Sequence, residues 1–340
     1  MNLPRLTYKA LTLEFHRPFH LSTGISLTRK AFWIRLSNDE GWGEGTIPPY
    51  YGIADEEMTS VWDLAAQSEI PFPDSPEKIP AWIGDVDVAP AKCALDLALH
   101  DRIAKKRNIP LYKLLDLPKP KPLATAFTIS ISSPEEMAQI ARENAQYPVI
   151  KLKLGTQDDV ARVAAVRAAR PNARIYVDAN AAWNPDEAIQ HVKALEPYHL
   201  DMIEQPTAKD DIEGMGYVQA HTEIPIVADE TVRTLADVEA LAKAGVKGIN
   251  LKLMKIGGLI PALKMLRRGR ELGQKIMLGC MSETALGVTA MANLTAYADW
   301  IDLDAPLLIK NNPFDGLKYD QQANIHLPDR NGIGVTRHNS

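Results

Sequence analysis

The sequence predicts an α/β protein: a (β/α) barrel carrying a smaller domain in one chain of 340 residues. Three observations carry this. Landmark residues recur at nearly one interval, with 25, 26, 25, 23, 27 and 25 residues separating Lys153, Asp178, Glu204, Asp229, Lys252, Gly279 and Asp304. Most of them follow directly on a short apolar run, as in VIKLKLG, IYVDAN, IPIVADE and GINLKLMK. The segment before them reads differently, as strands and then helices. One strand, one charged tip and one helix need about this length of chain. Tips repeated in this way gather at one end of a barrel.

The totals agree. At 46% hydrophobic residues a large core is available. A net charge of −5, with no dense Lys/Arg run, gives no attraction to nucleic acid. The two cysteines, Cys93 and Cys280, lack metal-ligand spacing and suit a reducing cytoplasm. The start has no continuous apolar segment, so no signal peptide is expected, and no run is long enough for a membrane helix.

Element by element, LTYKALTLEF and KAFWIRLSNDEGWGEG alternate apolar and polar residues as strands do, with NDEG as a turn. Between them FHLSTGISLT reads equally as a flap or as a plain hairpin connection. Residues 54–107 read as helical. The strongest segment is AKCALDLALHDRIAKKR, with Cys93, Leu97 and Ile103 on one stripe. LPKPKPL, residues 117–123, reads as a linker. The barrel helices have marked starts at Ser133-Pro134-Glu135-Glu136, Asn184-Pro185-Asp186-Glu187 and Thr234 with Asp237. Domain bounds of 1–120, 121–309 and a tail 310–340 returning to the first domain follow.

The tips carry the chemistry. Asp178, Glu204 and Asp229 would converge from successive strands, and three close negative charges repel one another strongly. A divalent cation relieves that cost. All-oxygen ligands favour a hard metal, and Mg²⁺ leaves room for substrate. The bland alternative has each acid capping a helix or forming an ion pair. Lys151 and Lys153, two apart on a strand, point the same way on one side of this cluster. Lys252 lies on the other side, with Lys255 near it. A metal and a second lysine both disfavour an ammonium, which would bring Lys153 or Lys252 into the range of a general base. These parts suit removal of a proton next to a carboxylate, through an ene-diolate, with return to the opposite face.

KLK (151–153), VDAN (177–180), IEQP (203–206), ADE (228–230) and NLKLMKIGG (250–258) resemble the muconate-lactonizing subgroup of the enolase superfamily, across essentially the whole chain. The resemblance implies a modified (β/α)7β barrel with an N-terminal α+β capping domain. It implies one Mg²⁺ per subunit on Asp178, Glu204 and Asp229, Lys153 and Lys252 as the acid/base pair, and Lys151 either at the substrate carboxylate or tuning Lys153. A homo-oligomer is expected of such barrels.

Asp302 and Asp304 form D-x-D on the eighth strand, so both would face one side and hold a cation such as an α-ammonium. D-x-D here is similar to dipeptide epimerases, as is GCMSET (279–284), which implies that Cys280 and Ser282 face the substrate. The implied partner is a small dipeptide. A cycloisomerase or an o-succinylbenzoate synthase on the same scaffold is the alternative, though neither substrate carries an ammonium for D-x-D. A Schiff-base lyase would leave the three acids unexplained. Family members that prefer an acidic second residue place an arginine in the flap. Gly24 stands there in this chain and Arg29 lies farther along, which leaves acidic, hydrophobic and other second residues open.

Overall fold

The computed structural model describes residues 5–21, 24–37 and 40–338. Ser22 and Thr23 of the flap, and Asn38 and Asp39 of the NDEG turn, lie outside the described residues.

The N-terminal segment forms an antiparallel sheet of β1 (Leu6–Leu21), β2 (Gly24–Leu36) and β3 (Trp42–Gly45). The pairing of β1 with β2 runs out to Leu21 opposite Gly24. Phe32, Ile34 and Leu36 alternate toward a core shared with Trp62, Leu95 and Leu99. The helix Ala89–Lys106 lies against the sheet so closely that a Cβ on Gly43 would meet Ala94 O at 1.9 Å.

That helix buries Cys93, Leu97 and Ile103 as its stripe requires, but Asp96, His100 and Asp101 are buried too. It is sandwiched between the cap sheet and the barrel, and its acids bridge them. Asp96 accepts the Leu259 N–H of a barrel helix at 2.6 Å. Asp101 accepts from Trp42 N at 2.9 Å and Ile333 N at 2.8 Å, beside Lys105. A stripe argument cannot anticipate a helix covered on both sides.

Eight parallel strands follow in chain order: β4 (Ala126–Ile129), β5 (Val149–Lys153), β6 (Arg174–Asp178), β7 (Met202–Glu204), β8 (Ile226–Ala228), β9 (Gly248–Leu251), β10 (Lys275–Gly279) and β11 (Trp300–Asp302). Side-chain bonds close the ring: Thr128 N donates to Asp304 Oδ2 at 2.7 Å and Leu303 N to Thr125 Oγ1 at 2.8 Å. A helix follows each of the first seven strands, while β11 leads only to the single turn Ala305–Leu308. This is a (β/α)7β barrel under an α+β cap. The helix starts are capped as the sequence indicates. Ser133 accepts from Glu136 N, and the Asn184–Glu187 and Thr234–Asp237 pairs bond reciprocally.

Strand alternation sorts the barrel into layers. Ile150, Leu152, Ile175, Val177, Ile203, Ile249 and Leu278 face the helices. Ala126, Val149, Tyr176, Met202, Val227, Met277 and Trp300 fill one end of the interior as an apolar plug. Two residues farther along these strands stand Thr128, Lys151, Asp178, Glu204, Asp229, Gly279 and Asp302, so the charged layer lies directly above the plug, beneath the cap.

The tail touches both parts. Gly332 bonds Ile109 and Leu111, Phe314 packs edge-on to Trp42 at 5.4 Å, and Ile325 N donates to Leu123 O near the entry to β4. Among the described residues no helix is long and apolar enough to cross a membrane.

Candidate active site

Strand register explains the spacing seen in the sequence. Lys153 on β5 is level with Asp178 on β6, which is level with Glu204 on β7; across the ring Gly279 on β10 is level with Asp302 on β11. Each βα unit returns the chain to the same height, so residues about 25 apart become neighbours. Asp178, Glu204 and Asp229 are at most 1% exposed, and Lys151, Lys153 and Lys252 at most 7%.

The buried charges are densely paired. Lys151 Nζ lies 2.8 Å from Asp302 Oδ2, 2.7 Å from Glu204 Oε2 and 3.2 Å from Asp178 Oδ2. Lys153 meets Asp178 Oδ2 at 2.7 Å and Lys252 meets Asp229 Oδ2 at 2.6 Å. Lys255 holds the other oxygen of Asp229 at 2.6 Å and also donates to Asn250 O. Gly279 is required here, because a Cβ would strike the Asn250 amide at 2.7 Å and the Lys252 stem at 3.1 Å.

Protonation follows from these neighbours. Burial raises Asp178, but Lys153 and Lys151 outweigh it and hold the carboxyl at about 2. Asp229 is lowered in the same way: burial opposes, and Lys252 and Lys255 win. Glu204 is pushed up to about 7, by burial first and then by Asp178. Burial works against the charge on Lys252, yet Asp229 and Glu204 hold it well above its ordinary range. Lys255 is lowered, chiefly by burial.

The donor set fits a hard divalent ion. Glu204 Oε2 stands beside Lys151 without hydrogen-bond geometry, and Asn180 Oδ1 and Glu230 Oε2 are buried with no donor. Glu230, joined to Asn180 by a bond of 3.1 Å, is raised by burial and then by Asp229 and Asp178. Surplus carboxylate oxygen of this kind is what a cation satisfies. Among the described residues no group of three or more His, Cys, Asp or Glu side chains is arranged to hold a metal ion, and lysine ammoniums lie against the three acids.

The D-x-D pair departs from the strand argument. Asp302 ends β11, while Asp304 lies past it with αR backbone angles, at the start of the turn Ala305–Leu308. The chain must turn there into Pro306, so period-two alternation stops one residue early. Both carboxylates nevertheless reach the cavity and meet Thr128: Asp302 Oδ1 lies 3.4 Å from its hydroxyl and Asp304 accepts its N–H. Burial and then Asp302 push Asp304 up to about 7.

Cys280 and Ser282 line the same cavity as the three lysines, with Cys280 Sγ donating to Asp302 O at 3.3 Å. Gly24 is not in that wall. It stands at the hairpin tip with nothing within 4 Å of where its Cβ would be, and Arg29, Phe15, Phe19, Pro48 and Tyr50 supply the cap side instead. Of these five only Arg29 stands out in the sequence; no local pattern marks the others. Gln205 in IEQP and Asn180 in VDAN do carry a signal. Gln205 accepts Asp229 N at 2.8 Å and donates to Thr231, which ties the tips of β7 and β8.

Barrel, cap and charged mouth together define a protein of the enolase superfamily, and the comparisons bear this out. Residues 135–339 match the enolase C-terminal domain-like family, and the chain belongs to it. It is 33% identical to the L-Ala-D/L-amino acid epimerase of Maribacter sp., over 98% of this chain and 99% of that one. A dipeptide epimerase structure from Enterococcus faecalis, complexed with Mg and L-Leu-L-Tyr, matches with a TM-score of 0.91 at 30% identity, covering 99% of this chain and 100% of that one. The substrate-liganded L-Ala-D/L-Glu epimerase of Bacillus subtilis gives 0.89 at 30%, covering 98% and 99%. Within the superfamily the chain resembles the dipeptide epimerases, and it is an isomerase of the racemase and epimerase kind.

Proposed function

We propose that the protein is a Mg²⁺-dependent dipeptide epimerase that inverts the α-carbon of the C-terminal residue. The observation that carries this is the placement of the lysines in the ring. Lys153 ends β5 and Lys252 follows β9, four strands apart in a ring of eight, so they face the cavity from opposite sides. Inversion needs a proton acceptor on one face of the carbon and a donor on the other; elimination needs only one base. In this reading Lys153 Nζ takes or returns the proton on one face and Lys252 Nζ does so on the other. Lys151, between them, offers its ammonium to the substrate carboxylate. Asp302 and Asp304 receive the α-ammonium, which favours a dipeptide over a muconate or a succinylbenzoate precursor.

Asp178, Glu204 and Asp229 would hold the Mg²⁺. When bound it supplies a charge that favours the carboxylate in its deprotonated, ene-diolate form. The apolar plug below and Phe15, Phe19 and Tyr50 above keep water from the carbon while it is without its proton.

The test is a dipeptide library in D₂O with Mg²⁺, read by mass spectrometry. Deuterium is expected at one α-carbon, that of the second residue. Absence of exchange from every member, or label in the first residue only, would end this reading. Chelation is expected to abolish exchange while far-ultraviolet circular dichroism stays unchanged; unfolding on chelation would make the metal structural.

A further inference from the structure

Arg29 on β2 faces the cavity and is only 7% exposed. Its Nε is buried with no partner, and Nη2 reaches only the Ser26 hydroxyl, at 3.4 Å. Among the described residues no carboxylate pairs with it. This contrasts with the barrel lysines, each of which touches at least one acid. A buried guanidinium without an anion carries an unmet desolvation cost, and its planar fork suits a carboxylate.

Its position says which part of a substrate it would meet. Arg29 neighbours Tyr50, and Tyr50 in turn feels Lys252, Glu230 and Asp229. Asp302, Asp304 and Thr128 lie on the other side of the cavity, by Lys151. With the α-ammonium at the aspartates and the reacting carbon between Lys153 and Lys252, the second side chain points to the cap and Arg29. The remaining cap wall, Phe15, Phe19 and Pro48, has no charge to compete.

We infer that the second residue of the substrate is acidic, and that Arg29 reads its side-chain carboxylate from a strand position rather than from the flap. This rests on the dipeptide reading above. It selects one of the substrate classes that the sequence leaves open, despite Gly24 in the flap.

The full-length protein with Mg²⁺ is assayed on L-Ala-L-Glu, L-Ala-L-Gln and L-Ala-L-Leu, as wild type and as Arg29→Gln. The wild type is expected to favour glutamate over isosteric glutamine at least tenfold in kcat/KM. Arg29→Gln is expected to lower the Glu/Leu ratio roughly a hundredfold, the order of discrimination a lost charged contact gives. A wild type that prefers leucine, or a variant that loses all three substrates equally, would overturn the assignment. Calorimetric binding of L-Ala-D-Glu against L-Ala-D-Gln to both proteins probes the same contact without turnover: equal affinity for the pair rules Arg29 out. If selective binding persists while no proton exchanges, the epimerase reading fails and the role of Arg29 stands.

Discussion

The two walls of the cavity are built on opposite terms. The barrel wall is crowded with charge, and nearly every charge has a counter-charge within 3.2 Å. The cap wall is mostly aromatic and apolar, and its one buried cation, Arg29, has no counter-ion among the described residues. A paired charge is held in place and serves a fixed chemistry, whereas an unpaired one waits for a ligand. In the proposed reading, proton transfer falls to the barrel and choice of side chain to the cap.

The sharpest way to break the contrast is on the barrel side. Lys153→Ala and Lys252→Ala should each lower epimerisation by about 10³-fold or more, the upper range for a lost acid or base. Lys252→Ala should still exchange the α-proton of one stereoisomer, because the opposed lysine can remove it. Equal loss of exchange from both isomers, followed by NMR in D₂O, would contradict the opposed faces. Next in size, Asp304→Asn should lower kcat/KM for dipeptides by about a hundredfold, through the lost partner for an ammonium. Indifference of the rate to that change would move the substrate's amine elsewhere.

Where the two walls join, effects should fall on stability. Glu44 on β3 is fully buried and accepts from Thr284 N, the Thr284 hydroxyl and Gly287 N, at 2.8, 2.6 and 2.9 Å. Glu44→Ala strands those donors and should cost about 2–3 kcal/mol in denaturant unfolding, more than Glu44→Gln; the reverse order would mean that the bonds matter less than the charge.

The smallest change, read per pH unit, concerns Glu283, whose Oε2 shares the space over Gly287 with Glu44 Oε2 and whose Oε1 accepts Met281 N. Burial, and then Glu44, raise it from 4.5 to about 8. Between those values the folded chain binds a proton that the unfolded chain has released. This group's contribution is therefore whole below pH 4.5 and falls as pH rises toward 8, by about 1.4 kcal/mol per unit. Glu283→Gln should flatten that part of the stability profile; an unchanged slope would show that another group sets it.

The barrel was legible because its evidence is local and repeats. Register turns a 25-residue spacing into adjacency, so Lys153, Asp178 and Glu204 could be grouped before any coordinates. The same logic overreached by one residue at Asp304, where Pro306 ends the alternation. The cap side was closed to this reasoning. Phe15, Phe19, Tyr50 and Arg29 come from strands and a turn far from the barrel in sequence, and only docking brings them over the lysines. The burial of Asp96 and Asp101 was hidden for the same reason, since a helix pattern does not disclose that a second layer covers its other face. Gly24 shows the converse: a position judged by analogy to a flap lies outside the wall.

The plug of Ala126, Val149, Tyr176, Met202, Val227, Met277 and Trp300 makes the barrel a blind alley. Whatever enters must leave by the same doorway, so a freshly formed epimer backs out along the path its precursor took in. Both forms therefore compete for one threshold, and each slows the other's entry as it accumulates.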